Sequence, residues 1–280
     1  MDTSKSIKPK ILVIVGHALY EPWTTILYQG QLRTWVINEN ILIYHTHANP
    51  ISNHIRKIDA FLWKMKWHSR FGKYFTFIEL VLKFPFRAKK GHLRESFLPE
   101  THEKSLTLDM PDLDMVMNFK SFGIITGTLA FDYDYLVSTT TSSYLNVVEL
   151  EKKISMLPRS KVVSGRIIKQ DSITFASGSF RVFSRDVVEG FLVHRKRFST
   201  WRPEDQAFGF LIKESRMDVE YVNMDSIDIS SLASLNNLSK EDLTKVVHFR
   251  LKSGTLESRN DVEIMLKLHK MLGGTISEKE

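Results

Sequence analysis

Residues 10–15 read KILVIV and stop at Gly16-His17. A run that is apolar at every position has no face left for water. It therefore reads as a strand covered on both sides, the environment of a parallel strand in the middle of an α/β sheet. A chain with such a strand near its start must supply helices to cover it. A strand of that kind also ends where α/β proteins hold their ligands, beyond the carboxyl ends of the strands.

The following segments supply those helices. A helix is expected at about 22–36, then a second β-rich run, ILIYHTHA. A helix at about 112–130 carries Leu113, Val116, Met117 and Phe119 and leads into the strand YLV. The stretch STTTSSYLN at 138–146 follows, and Asn146 with Glu149 makes an Asn-x-x-Glu capping pattern for a helix at 147–156. Lys161–Ile168 and Ile173–Phe175 are strand-like, SGS reads as a turn, and Arg181–Phe183 returns to strand. Ser184 is positioned to cap the next helix, and Pro203 to occupy the first position of another. VEYVNM and VVHFRLKS are the last strand-like runs, and a helix near 259–272 ends the chain. Strands alternating with helices imply a mostly parallel central sheet flanked by helices. With 280 residues, no internal repeat and no Gly/Pro-rich linker, 1–280 reads as a single domain.

Charge departs from the ordinary in one place. Between Arg56 and Lys90 there are ten Lys/Arg against two acids, so that window carries +8 in a chain of net charge +7. Nine aromatics fall within 61–86. This basic aromatic insert, at about 50–92, reads as two helices separated by Gly72. Its surface suits an anionic membrane face, or else its aromatics are core and its lysines solvated. No nucleic-acid-binding motif accompanies the charge, so a nucleic-acid partner is not expected. The chain has no cysteine, which excludes disulfides, thiolate metal sites and thiol nucleophiles. It has no 18-residue apolar run and no signal-peptide pattern, and the expected location is cytoplasmic, peripheral at most to the inner face of a membrane. GxxxxGK[ST], GxGxxG, HExxH and GxSxG are all absent, which removes the best evidence for the common nucleotide hydrolases, dehydrogenases and serine hydrolases.

Four segments in order carry a resemblance. QLRTW ends the first helix with Thr34 and Trp35. DLDMVMNFK places Asp112 eight residues before Lys120. DYLVSTTTSSYLN is a strand and turn with Tyr144 and Asn146. FASGSFRVFSRDVVEGFL and PEDQAFG contribute Gly178, Ser184, Glu204, Asp205 and Gly209. Over about 10–212 the chain resembles glycosyltransferases of the GT-A fold, a Rossmann-like α/β class, and within them the beta-1,3-galactosyltransferase and Fringe-like group. The resemblance implies an inverting hexosyl- or N-acetylhexosaminyltransferase with a nucleotide-sugar donor, UDP-linked, and a glycan or lipid-linked acceptor in polysaccharide or glycolipid assembly. A GT-A-like domain that only binds a glycan or a membrane surface is the alternative.

The resemblance also implies a site. Glu204 and Asp205 are the catalytic carboxylates, one being the base that removes the acceptor proton, with Asp205 favoured. Gly16, His17, Glu21, Lys120, Thr139, Thr140, Thr141 and Ser142 fall on the donor side, and Gly178, Ser179 and Trp201 on the acceptor side. The family's acidic triplet, which holds Mn²⁺ or Mg²⁺, is replaced here by Thr140, Thr141 and Ser142. Hydroxyls are poor ligands for a hard dication, so no metal ligand is assigned and the ion is doubtful. Those hydroxyls either face the donor or serve turn and cap. In HFRLKS, period two puts His248, Arg250 and Lys252 on one face, where fixed cations would balance a leaving diphosphate; an edge strand with solvated charges is the other reading. Asp132 and Asp134 precede YLV and are expected at the end of the sheet away from the ligand.

Overall fold

A computed structural model describes residues 8–36, 41–68, 88, 90–98, 101, 103–113, 116–199, 202–254 and 259–277. Residues 69–87 and 89 of the basic aromatic insert, Gly72 among them, and Trp201 lie outside the described residues.

The chain begins with β1 (Ile11–Gly16), a short helical run comprising α1 (Trp23–Thr25), a π-helical turn (Ile26–Gly30) and a 3₁₀ turn (Gln31–Arg33), then β2 (Leu42–Asn49) and α2 (Asn53–His68). Next come β3 (Leu93–Phe97), β4 (Lys104–Pro111), α3 (Met117–Gly127), β5 (Tyr135–Thr140), β6 (Ser143–Leu145) and α4 (Val147–Ser155). The middle of the chain forms β7 (Val162–Gln170), β8 (Ile173–Ser184), α5 (Arg185–Val193) and α6 (Glu204–Glu214). The last part forms β9 (Glu220–Asn223), β10 (Ser226–Ile229), α7 (Leu232–Asn236), α8 (Lys240–Lys245), β11 (His248–Leu251) and α9 (Asp261–Met271).

Eight of the described strands form one sheet in the order β3-β4-β2-β1-β5-β8-β7-β9. Only β3 and β8 run against the other six, so the sheet is mostly parallel and the α/β class expected from the sequence is the one observed. β1 lies near the middle, paired on both sides, which is what its uninterrupted apolar run requires. Its residues divide by parity. Val13 and Val15 enter one core with Val137, Val182 and α9, whereas Leu12 and Ile14 enter the other with Leu136, Phe183 and residues of α3, α5 and α6. Full burial of each such side chain is worth about 1.5–3 kcal/mol, so both faces of the strand stabilise the fold. A second sheet of three strands, β10-β11-β6, packs on the first of these cores.

Local expectations meet the structure with three differences. Asn146 caps α4 as its spacing implies, accepting from the Glu149 amide at 3.4 Å. Ser184 does not cap α5. Its hydroxyl donates to Asp186 and accepts from the Val162 amide, tying β7 to the start of the helix instead. Pro203 stands one residue before α6, at the cap position. SGS is not a turn. β8 runs through it without a break, because β7 continues to pair with it on both sides of a bulge between Gly165 and Ile167. Gly165 has φ 120°, and a Cβ there would lie 2.5 Å from the Phe180 carbonyl oxygen, so only glycine fits the bulge.

Candidate functional site: a cationic cleft at the strand ends

β1 and β5 are paired in register, so Gly16 and Thr140 end side by side. A cleft of about 910 Å³ opens at this edge. Its floor is a row of three in-register residues, Ile14 on β1, Ser138 on β5 and Arg181 on β8. Helix α3 forms one wall with Lys120, Ser121, Ile124 and Ile125, and the end of β11 forms another with Arg250, Leu251 and Lys252.

The hydroxyl turn is on this cleft, but most of its protons are committed inward. Thr139 donates to the Ser179 carbonyl at 2.8 Å and Thr141 to the Gly16 carbonyl at 3.2 Å. Thr140 and Ser143 share a bond of 3.2 Å, and Ser143 also reaches the Ser179 carbonyl and the His248 ring. Ser142 differs: its oxygen accepts from the Arg259 guanidinium at 2.9 Å, which leaves its proton to point elsewhere. The backbone of the turn is held by Gln31, which donates to the Thr140 and Ser143 carbonyls, and by the Trp35 indole N–H, which donates to Ser143. QLRTW thus anchors the turn from below.

The cleft is rich in cations. Lys120 forms a buried ion pair with Asp112 at 2.6 Å. Arg181 pairs with Glu204 and lies over the Phe208 ring. Arg259 pairs with Asp261 and stacks on Trp23. Arg250 and Lys252 have no acidic partner among the described residues. Neither Arg259 nor Arg181 is singled out as a site residue by the sequence, although Arg181 lies within FASGSFRVFSRDVVEGFL. Arg259 had a weak signal in Arg-x-Asp ahead of a helix. Arg181 had a stronger one, since an arginine between Phe180 and Val182 in a strand is a buried charge that requires a partner.

Two carboxylates, Glu21 and Glu204, line the cleft. Glu21 accepts from the Thr24 hydroxyl and, at 3.4 Å, from the Thr25 amide; these bonds hold it below the usual carboxylate range. Glu204 opens α6 beside Gly178, where a Cβ would come within 2.8 Å of its Oε2. Asp205 is half-buried next to it, bonded to the Gln206 amide at 2.9 Å and the Gly178 amide at 3.5 Å, and is not among the residues lining the cleft.

Three histidines meet where β1 and β2 end. His17 stacks on His47 with centroids 5.2 Å apart and lies 5.9 Å from His45. Burial is the main cause that lowers all three, and it takes His45 down to about 3; for His17 the neighbouring His45, His47 and Lys120 add to it. At neutral pH the cluster is uncharged. His17 and His47 face the cleft, and both ring nitrogens of His17 are buried without a partner among the described residues.

Among the other residues singled out in the sequence, Ser179 is buried and bonded to Ser177, away from the cleft. His248 shares a strand with Arg250 but does not reach the cleft. It is 0 % exposed, stacked on Phe180 at 4.8 Å, with Ser226 and Ser143 on its two nitrogens. Period two put it on the right face and said nothing about depth. Asp134 and Asp132 bind Lys10, at the start of β1 and the far end of the sheet.

No family model matches the chain, and no curated protein matches it. Among the solved structures that are similar along most of it are two transferases. One is a glycosyltransferase involved in the glycosylation of the major capsid of PBCV-1, at 10% identity and TM-score 0.45, covering 92% of this chain and 100% of that one. The other is an inositol-1-phosphate CTP transferase from T. maritima, at 6% identity and TM-score 0.39, covering 96% and 99%. Both scores are below 0.5, so the fold rests on its own strand order and the function on its own cleft.

Proposed function

We propose that the chain is an inverting glycosyltransferase that takes a nucleotide-sugar, UDP-linked, into the cleft and transfers the sugar to a hydroxyl of a glycan or glycolipid. One observation carries this reading. A cleft at the carboxyl ends of β1 and β5 holds two cations without acidic partners among the described residues, Arg250 and Lys252, beside the Ser142 hydroxyl and Arg259. That is the charge a diphosphate needs, placed where an α/β sheet binds ligands. Fixed cations stabilise negative charge developing on the leaving group without reorganising as it forms. The base is a carboxylate at the start of α6, for which Asp205 has no ion-pair partner among the described residues.

The donors at the turn do not fit Mn²⁺ or Mg²⁺. Thr140, Thr141 and Ser142 offer neutral oxygens, Glu21 is tied to Thr24 and Thr25, and Glu204 to Arg181. Among the described residues no group of three or more His, Asp or Glu is placed to hold an ion. We therefore assign the charge-balancing role to Arg250, Lys252 and Arg259. Calorimetry with UDP, and turnover with a panel of UDP-sugars, test this directly. EDTA is expected to leave turnover unchanged, and Arg250→Ala with Lys252→Ala to weaken UDP binding by about 100-fold or more. No nucleotide affinity, with retained glycan or liposome binding, would make the chain a binding module instead.

The acceptor reading extends to a surface. Ile55 and Ile58 are each 48% exposed on α2, three residues apart, within the basic aromatic insert. No described helix is long and apolar enough to cross a membrane. Exposed isoleucines next to Lys57 on one helix suit an anionic bilayer, where a lipid-linked acceptor would be found. Co-sedimentation with anionic liposomes is expected, and loss of it in Ile55→Asp/Ile58→Asp. Equal sedimentation of that variant would remove the membrane contact.

A further inference from the structure

Arg181 is the most deeply placed cation of the cleft, 4 % exposed, and its hydrogen bonding is incomplete. One Nη donates to Glu204, while Nε and the other Nη are buried with no partner among the described residues. Buried N–H donors of a charged group are rarely left unpaired, because desolvating them without a partner is costly. Here they belong to a residue that lines the cleft floor. Ser138, its in-register neighbour on β5, and Ser121, across the cleft on α3, have hydroxyls with no bonding partner among the described residues. Ile14, Ile124 and Ile125 provide apolar surface between them.

We propose that Arg181 and Glu204 together read the hydroxyls of a sugar ring, so that Arg181 is a specificity-determining residue; this rests on the nucleotide-sugar reading above. The charge balance favours a neutral ligand. The positive charge of Arg181 is already met by Glu204, so a second anion would be left without a counter-charge on the floor. A pair of adjacent hydroxyls satisfies both partners at once. One of their oxygens accepts from Nε or from the free Nη of Arg181, and a proton is donated to the free oxygen of Glu204. Gly178 makes this possible, since any side chain there would collide with that oxygen. The cleft is thus divided, with unpaired cations at the β11 wall for a diphosphate and a neutral ion pair at the floor for a polyol.

The ring belongs either to the donor or to the acceptor, and two arms of one experiment separate them. The full-length protein is titrated with UDP, with UDP-glucose, UDP-galactose and UDP-N-acetylglucosamine, and with methyl hexosides in the presence of UDP. Arg181→Lys keeps the charge beside Glu204 but loses the fork of donors. Arg181→Met/Glu204→Gln removes both charges together, which keeps the floor neutral should the single change unfold it. In both variants UDP affinity is expected to stay within about twofold of wild type, a control that a merely structural defect would fail. The extra affinity of the preferred UDP-sugar over UDP is expected to fall by about 10–100-fold, which identifies the donor. The same loss confined to a methyl hexoside identifies the acceptor. Unchanged affinity in both arms, or equal losses for UDP and UDP-sugar, overturns the role of Arg181. Failure of the wild type to bind any UDP compound instead overturns the nucleotide-sugar reading on which it depends.

Discussion

Asp205→Asn is expected to lower turnover by about 10²–10⁴-fold while leaving UDP affinity unchanged. The size is that of a positioned general base, and the amide keeps the shape of the side chain while removing its capacity to take a proton. Asp205 sits in the first turn of α6, and among the described residues no cation pairs with it. Glu204 has the same helix position but is engaged with Arg181. Its replacement by Gln is therefore expected to raise KM for the sugar substrate more than it lowers kcat. Steady-state kinetics of the two variants separates the roles. Full turnover in Asp205→Ala and in Glu204→Ala would leave the reaction without a base from α6 and end the proposed mechanism.

The second large effect is on stability in acid. His45 and His248 are buried, and burial lowers both to about 3; for His248 the nearby Arg250 and Arg166 add to it. In the unfolded chain each would titrate near its ordinary 6.5. Below that pH the unfolded state binds protons that the folded state refuses, so stability is complete above about 6.5 and is lost as pH falls toward 3. At pH 4.5 the two sites together cost about 5 kcal/mol, which is as large as the whole stability of many domains. Urea unfolding at pH 7.5 and 4.5 measures this, and His248→Gln, which keeps a donor and an acceptor for the two serines, is expected to shrink the difference by about 2–3 kcal/mol. Equal midpoints at the two pH values would mean that these rings are solvated.

The parts of the fold legible in the sequence were those where local pattern and final environment coincide. KILVIV had to be a covered strand, and it is paired on both sides near the middle of the sheet. Asn146 had a capping residue's chemistry at a capping residue's spacing, and it caps. Ser-Gly-Ser looked like a turn because glycine and serine disfavour strands, yet β8 continues through it, paired with β7 at Ala176 before it and at Arg181 after it, with SGS itself opposite the bulge. β10 and the two short helices before β11 were missed for a related reason. Each is four to six residues long, too short to show a period, and is held by its neighbours and its serine caps. At the site, the sequence led to the turn at the end of β5 and to the Arg250–Lys252 segment, which do share a cleft. Arg259 and Arg181 escaped because their placement depends on contacts distant along the chain: Arg259 with Ser142, and Arg181 with Glu204.

The antiparallel pairing of β6 with β11 has a mechanical consequence. Ser143 lies opposite Arg250 and Leu145 opposite His248, two residues beyond the hydroxyl crest. Crest and cation strand are stitched together, so neither can slide to suit a longer or shorter guest without breaking the ladder. Any breathing of the cavity must come from the opposite bank, the helix that carries Lys120 and Ser121.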